Sequence, residues 1–219
     1  MRPAPDLSLY LVTDEAQCAG AGRSVLETVV AAVDGGATCV QLRAKDADGG
    51  PFLRQVIEVC RAVGSRVPVL VNDRVDVFLA ARELGARVAG VHVGQSDLPA
   101  PLVRALIGDG AFLGLSASTD AQVIAAQDEG ACDHLGIGTV RETATKTDAP
   151  GGLGVAGVAR AASLVELPAV AIGGVKAPDM APLAAAGLAG GAVVSAICCA
   201  PDPRRAAAEL LAAWREGLR

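Results

Sequence analysis

Apolar residues run in short, nearly continuous blocks along this chain, and each block is followed by a stretch with helical spacing. The blocks are "LSLYLVTD", "TCVQLRA", "VPVLVND", "AGVHVGQ", "AFLGLSAS", "DHLGIGTV", "PAVAIGG" and "GAVVSAI". Runs of this length read as strands, and their unbroken apolar character is that of strands covered on both faces. Between them lie amphipathic segments such as "SVLETVVAAVDGG", "GPFLRQVIEVCRAVG", "RVDVFLAARELG" and "TDAQVIAAQDEG", and the chain closes on "DPRRAAAELLAAWREGL". Ser24, Thr119 and Asp202, the last followed by Pro203, suit helix starts, while Gly64, Gly85, Gly130 and Gly187 suit helix stops.

Eight strand–helix units in 219 residues predict a single-domain (β/α)8 barrel of the TIM type, spanning residues 1–219. A doubly wound open sheet is the alternative, weakened because no G-x-G-x-x-G follows the first strand. In a barrel the loops after the strands share one face, where the chemistry gathers. Polar residues recur at those strand ends: Thr13 and Asp14; Gln41, Arg43 and Lys45; Asn72 and Asp73; Gln95 and Asp97; Ser116 and Ser118; Thr143, Thr145 and Lys146; Gly173 and Gly174; Ser195. The opposite rim carries no comparable series.

Composition narrows the partners. The formal net charge is -5 and aromatic residues make up 2% of the chain, so neither a general affinity for nucleic acid or anionic lipid nor a base-stacking surface is expected. No apolar run has the length of a membrane span, and the N-terminal stretch lacks the apolar core of a signal peptide. Six cysteines without a C-x-x-C pair read as buried, reduced thiols. The expectation is a soluble, cytoplasmic protein.

Locally, the strand ends suit anions and a cation. Glycines after the seventh strand let backbone N–H groups approach a phosphate, and Ser195 follows the eighth. Asp73 and Asp97 end the third and fourth strands and could share Mg²⁺ with a diphosphate, although Asp73 equally suits a helix N-cap and Asp97 a turn before Pro99. Arg43, Lys45 and Lys146 add positive charge, the last within the hydroxyl-rich segment "TVRETATKTDAPGG", which has neither helical nor strand character. His92 and His134 fall inside strand patterns, where packed or hydrogen-bonded structural roles are expected. A loop after a barrel strand can close over substrate.

In order along the chain, "LYLVTD", "GGATCVQLRAKD", "VNDRVDV", "GVHVGQSDLP", "TATKTDAP", "AIGGV" and "VVSAI" resemble the thiamine phosphate synthase family. The resemblance implies a transferase that condenses hydroxymethylpyrimidine diphosphate with a thiazole phosphate, carboxylated or not. It further implies Mg²⁺ at Asp73 and Asp97. Gln41, Leu42, Arg43, Ala44, Lys45, Asn72, Ser116 and Lys146 would hold the pyrimidine diphosphate. Thr143, Ala144, Thr145, Gly174, Val194 and Ser195 would hold the thiazole phosphate. Lys146, Arg43 and Ser116 would take the catalytic roles. The small-molecule substrates are the expected partners, with self-association into a homo-oligomer left open. A thiazole tautomerase-like isomerase and a non-catalytic phosphate-metabolite-binding barrel are the alternatives. Two departures from the family pattern stand out. "ARELGARVAG" lengthens the segment between Asp73 and Asp97 and implies a longer third helix. Thr139, Arg141 and Glu142 stand where the family often has Gly-Pro before an aromatic and a proline.

Overall fold

The computed structural model describes residues 5–141 and 152–219. The first half of the chain runs β1 (Leu9–Val12), α1 (Glu15–Gly20), α2 (Val25–Asp34), β2 (Cys39–Leu42), α3 (Gly49–Val63), β3 (Val69–Asn72), α4 (Val75–Glu83), β4 (Gly90–Val93) and α5 (Ala100–Ile107). The second half runs β5 (Phe112–Ala117), α6 (Asp120–Glu129), β6 (His134–Gly138), α7 (Gly154–Ala162), β7 (Ala169–Ile172), α8 (Ala177–Ala185), β8 (Gly190–Val193), α9 (Ser195–Cys198) and α10 (Pro203–Glu216). The eight strands pair in sequence order, all parallel, and β8 returns to β1 to close the barrel. This is the (β/α)8 barrel that the alternation of blocks predicts.

Strand alternation explains the continuous apolar runs. Along β1, Leu9 and Leu11 face the helices while Tyr10 and Val12 face the barrel interior. The two sets belong to two separate apolar clusters. Both faces are dry, so both sets are apolar. The outer cluster also takes Phe52, Val56, Val59 and Val63 from one face of α3 and Phe78 from α4. Burying a side chain such as Phe52 contributes about 2 to 3 kcal/mol.

The interior also holds polar groups. His92 and His134 are buried, with ring centroids 5.5 Å apart, and Tyr10 lies 6.0 Å from His134. Gly114 makes room for this pair. A Cβ there would lie 2.2 Å from His92 Nδ1 and 2.5 Å from His134 Nε2.

The predicted caps form. Ser24 and Glu27 make a reciprocal capping box on α2, Thr119 accepts the Gln122 N–H on α6, and Asp202 accepts the Arg205 N–H on α10. At the seam between the first and last units, the Arg23 guanidinium donates to the carbonyls of Cys198 and Pro201, each at 3.3 Å, and to that of Ala200 at 2.5 Å. Two short helices, α1 and α9, escape the sequence pattern because four to six residues cannot display a helical period.

The expectation of a longer third helix is corrected. Within the stretch 81–90 only Ala81–Glu83 is helical. The helix ends at Glu83, and Gly85 then adopts a left-handed φ of 77°, which carries the chain out of the helix and into a link toward β4. The cysteine reading is also corrected at one position. All six thiols are free and five are buried, but Cys199 is exposed at the end of α9.

Candidate active site

A cavity of about 690 Å³ opens at the C-terminal ends of the strands. Its walls bring together Gln41, Arg43, Lys45, Asn72, Asp73, Asp97, Ser116, Gly174, Val194 and Ser195 from six different strand ends. Four cationic side chains (Arg43, Lys45, Arg141 and Lys176) and three acidic ones (Asp14, Asp73 and Asp97) line it among the described residues.

The backbone sets the acidic pair. Asp73 follows β3 with φ at 60°, a left-handed conformation that short polar side chains tolerate. Its N–H donates to His92 O at 2.8 Å, extending the β3–β4 ladder past Asn72. The cap of α4 falls to Arg74 instead, so Asp73 keeps its carboxylate for the cavity. Asn72 Nδ2 donates to Asp73 Oδ2 at 2.6 Å. Asp97 arrives from the turn after β4, where its Oδ2 accepts the Gly94 N–H at 2.7 Å. Desolvation first, and the neighbouring charge of Asp97 second, push the Asp73 carboxyl up to about 6. Two carboxylates that repel one another in a half-buried wall form a donor set that a divalent cation suits. The chemistry fits Mg²⁺, which takes one or two carboxylates and completes its shell with water and phosphate oxygens.

Beside this pair stands Arg43, held by a backbone N–H bond to Thr13 Oγ1 at 3.0 Å and facing Asp14 at 3.7 Å. Asp14 itself caps α1 through the Gln17 N–H. Gln41, buried, donates to the Tyr10 hydroxyl at 2.9 Å, which fixes its amide at the cavity floor. Ser116 Oγ lies 3.0 Å from His92 Nε2, and its carbonyl accepts a bond from Gln95 at 2.7 Å. Across the cavity, Gly173 and Gly174 have φ of 89° and 72°, so the turn after β7 uses backbone that only glycine adopts freely.

Not every sequence candidate contributes a side chain. Leu42 is buried between sheet and helices and Ala44 packs against the same layer, so neither lines the cavity. Of the rim residues, Gln95 and Ser118 stand back from it. Thr143, Ala144, Thr145 and Lys146 lie outside the described residues. Conversely, His92, Gln17, Thr139, Arg141, Lys176 and Cys199 line the cavity without having been singled out as site residues. His92 follows the strand alternation that places Gly90 and His92 on one face, and that signal was available in the sequence. Gln17 sits on α1 and Cys199 directly follows α9, and these two short helices carry no signal of their own.

A closed parallel barrel with a deep, charged chamber at its strand C-termini is the layout of a barrel enzyme. Comparison with known proteins sharpens this. The family described as thiamine monophosphate synthase matches residues 9–197. A thiamine-phosphate synthase of Xanthobacter autotrophicus is 46% identical over 217 residues, covering 96% of this chain and 97% of that one. One from a Psychrobacter species is 42% identical over 216 residues, covering 98% of each. The solved structure of a thiamine phosphate pyrophosphorylase from Pyrococcus furiosus superposes with a TM-score of 0.85 at 30% identity, covering 98% of both chains. The chain therefore belongs to the thiamine monophosphate synthase family, and it is an enzyme of the transferase class. No helix among the described residues is long and apolar enough to cross a membrane.

Proposed function

We propose that the enzyme joins hydroxymethylpyrimidine diphosphate to a thiazole phosphate, carboxylated or not, and releases diphosphate in a Mg²⁺-dependent reaction. The observation that carries this reading is the contact of Asp73 with Asp97 in one wall of a chamber that also holds Arg43 and Lys45. Acidic and basic groups side by side suit a metal–diphosphate unit better than either alone. Mg²⁺, when bound, supplies charge neutralisation to the diphosphate oxygens.

The residues of the chain do the rest. Arg43 and Lys45 stabilise negative charge as it grows on the departing diphosphate, joined by Lys146 from the segment after β6. Asn72 donates to Asp73 and keeps that carboxylate oriented. Ser116, steered by His92, offers a hydroxyl toward the pyrimidine substrate. The aminopyrimidine ring releases electrons to its exocyclic carbon, so the carbon–oxygen bond breaks early and leaves a cation-like carbon. The thiazole nitrogen then captures that carbon. Gly174, Val194 and Ser195, with Thr143 to Thr145, hold the thiazole phosphate so that nitrogen rather than water reaches the carbon first. No side-chain nucleophile is required.

The test is to mix the purified protein with both substrates, with and without Mg²⁺, and to follow diphosphate release. Release that needs both substrates and the cation is expected. Release that persists unchanged in a chelator removes the metal assignment. Isomerisation of a thiazole phosphate without any diphosphate release favours the tautomerase alternative.

A further inference from the structure

Arg141 stands where the chain leaves β6, and three contacts hold it. Its backbone N–H donates to Gly173 O at 2.9 Å, carrying the β6–β7 ladder past the end of both strands. Its guanidinium forks onto both carboxylate oxygens of Asp179, at 2.5 and 2.6 Å. The same Nη1 also donates to Gly174 O at 3.0 Å. Asp179 is buried in the first turn of α8, and its Oδ2 accepts the Lys176 N–H at 2.8 Å. A carboxylate so placed needs a partner, and the bidentate fork is the strongest a side chain can offer. The pair therefore differs from the exposed ion pairs elsewhere on the surface, such as Arg205 with Glu209.

The turn it grips consists of two successive glycines in left-handed backbone, Gly173 and Gly174. Glycine pairs change peptide orientation at little cost, so such a turn needs an external hold to keep one orientation. The bond from Arg141 to Gly174 O fixes the plane of the peptide that joins Gly174 to Val175. In a planar trans peptide the carbonyl and the N–H point in opposite directions, so the Val175 N–H faces away from the guanidinium. Asp179, through Lys176, holds the other end of the same turn.

We propose that Arg141 is a positioning residue for the second substrate. Acting through Asp179 and Gly174 O, it sets the β7–α8 turn so that the backbone N–H groups of that turn receive the phosphate of the thiazole partner. This rests on the synthase reading above. It assigns to Arg141 an indirect role, without contact to the reacting atoms. The acidic pair belongs to β3 and β4, across the barrel from β7, so loss of the clamp affects one substrate and spares the other.

The experiment compares the wild type with Arg141→Leu, Asp179→Asn and the double variant. The Asp179→Asn side chain still offers an oxygen to the Lys176 N–H but loses the ionic fork. The double variant leaves no buried charge unpaired and carries the test if Arg141→Leu alone fails to fold. In each variant KM for the thiazole phosphate is expected to rise about tenfold, the equivalent of one lost hydrogen bond to an anion. Turnover and KM for the pyrimidine diphosphate stay within twofold of wild type, roughly the precision of such a comparison. The double variant is no worse than Arg141→Leu, because the two side chains act as one unit. An equal rise in both KM values, a fall in turnover alone, or additive effects in the double variant overturns the proposal. If the wild type releases no diphosphate from the two substrates, the synthase reading fails separately. The clamp is then judged by calorimetric titration with inorganic phosphate. Weaker phosphate binding in the double variant than in the wild type supports it, while equal binding, or none in either protein, overturns it.

Discussion

Asp73 and Asp97 reach one another from the ends of neighbouring strands, and the carboxyl of Asp73 is raised to about 6 by burial and by the charge of its neighbour. Because the folded value lies above the ordinary carboxylate value, the folded chain holds the extra proton. Asp73 thus favours folding at low pH, and that contribution is lost as pH rises from its ordinary value of 3.8 through about 6. A cation bound between them reverses the penalty. Added Mg²⁺ is therefore expected to raise the melting temperature at pH 8 and to have little effect at pH 5, as a calorimetric scan at the two pH values would reveal. Asp97→Ala should stay folded, lose the Mg²⁺ effect and lose activity. Full activity in that variant would remove Asp97 from the metal site.

His92 and Ser116 form a second pair, with Nε2 and Oγ 3.0 Å apart at the cavity wall. Replacing His92 with Phe keeps a ring in the interior but removes the partner of the serine hydroxyl. The loss of one such bond lowers kcat/KM by about tenfold. Steady-state kinetics on His92→Phe and Ser116→Ala, singly and combined, test the link. Independent, additive losses would show that the hydroxyl does not depend on the imidazole.

His134, one layer deeper, is expected to govern acid stability. Burial pushes its imidazole down to about 4, so the folded protein keeps it neutral while the unfolded chain takes a proton near the ordinary value of 6.5. Stability is then complete above about 6.5 and is lost as pH falls toward 4. The loss amounts to about 3 kcal/mol. His134→Phe removes the titrating group and two buried ring nitrogens that have no hydrogen-bond partner among the described residues. Urea midpoints measured from pH 4 to 7.5 should fall less steeply for that variant than for the wild type. Parallel curves would assign the acid limb to other groups.

Gly114→Ala tests the packing of the same interior. The new methyl would meet both imidazoles at well under contact distance. Overpacking of this kind costs about 1 to 3 kcal/mol. The expected result is a lower melting temperature, together with reduced turnover because His92 is displaced from Ser116. An unchanged melting temperature would mean that the rings have room to move.

The barrel was legible because its strands carry a dense and repeated signal. Eight apolar blocks and their helices fix the order of elements, and parallel pairing in a closed ring follows from it. The rim residues were legible for the same reason, since a strand end has a definite place in a barrel. Side-chain direction was harder to read. Leu42 and Ala44 sit in the motif beside Arg43, but strand alternation and helix packing turn them toward the outer layer. The strand positions of the histidines predict packed or hydrogen-bonded structural roles, and His92 fills one. Its ring lies in the interior, but its edge reaches Ser116 at the cavity wall. Arg141 and Asp179 are 38 positions apart in sequence, and no local spacing could announce their contact. The extra length before β4 suggested helix, but a glycine in left-handed backbone stops the helix at Glu83.

Closure of the ring joins β1 to β8, and Arg23 stitches the same seam with bonds to carbonyls at positions 198, 200 and 201. These partners are separated by nearly the whole of the chain. During synthesis, the exposed edge of the first strand must wait for the last to leave the ribosome before it finds its neighbour. Until then the nascent chain presents an unpaired apolar edge, the kind of surface that chaperones shield.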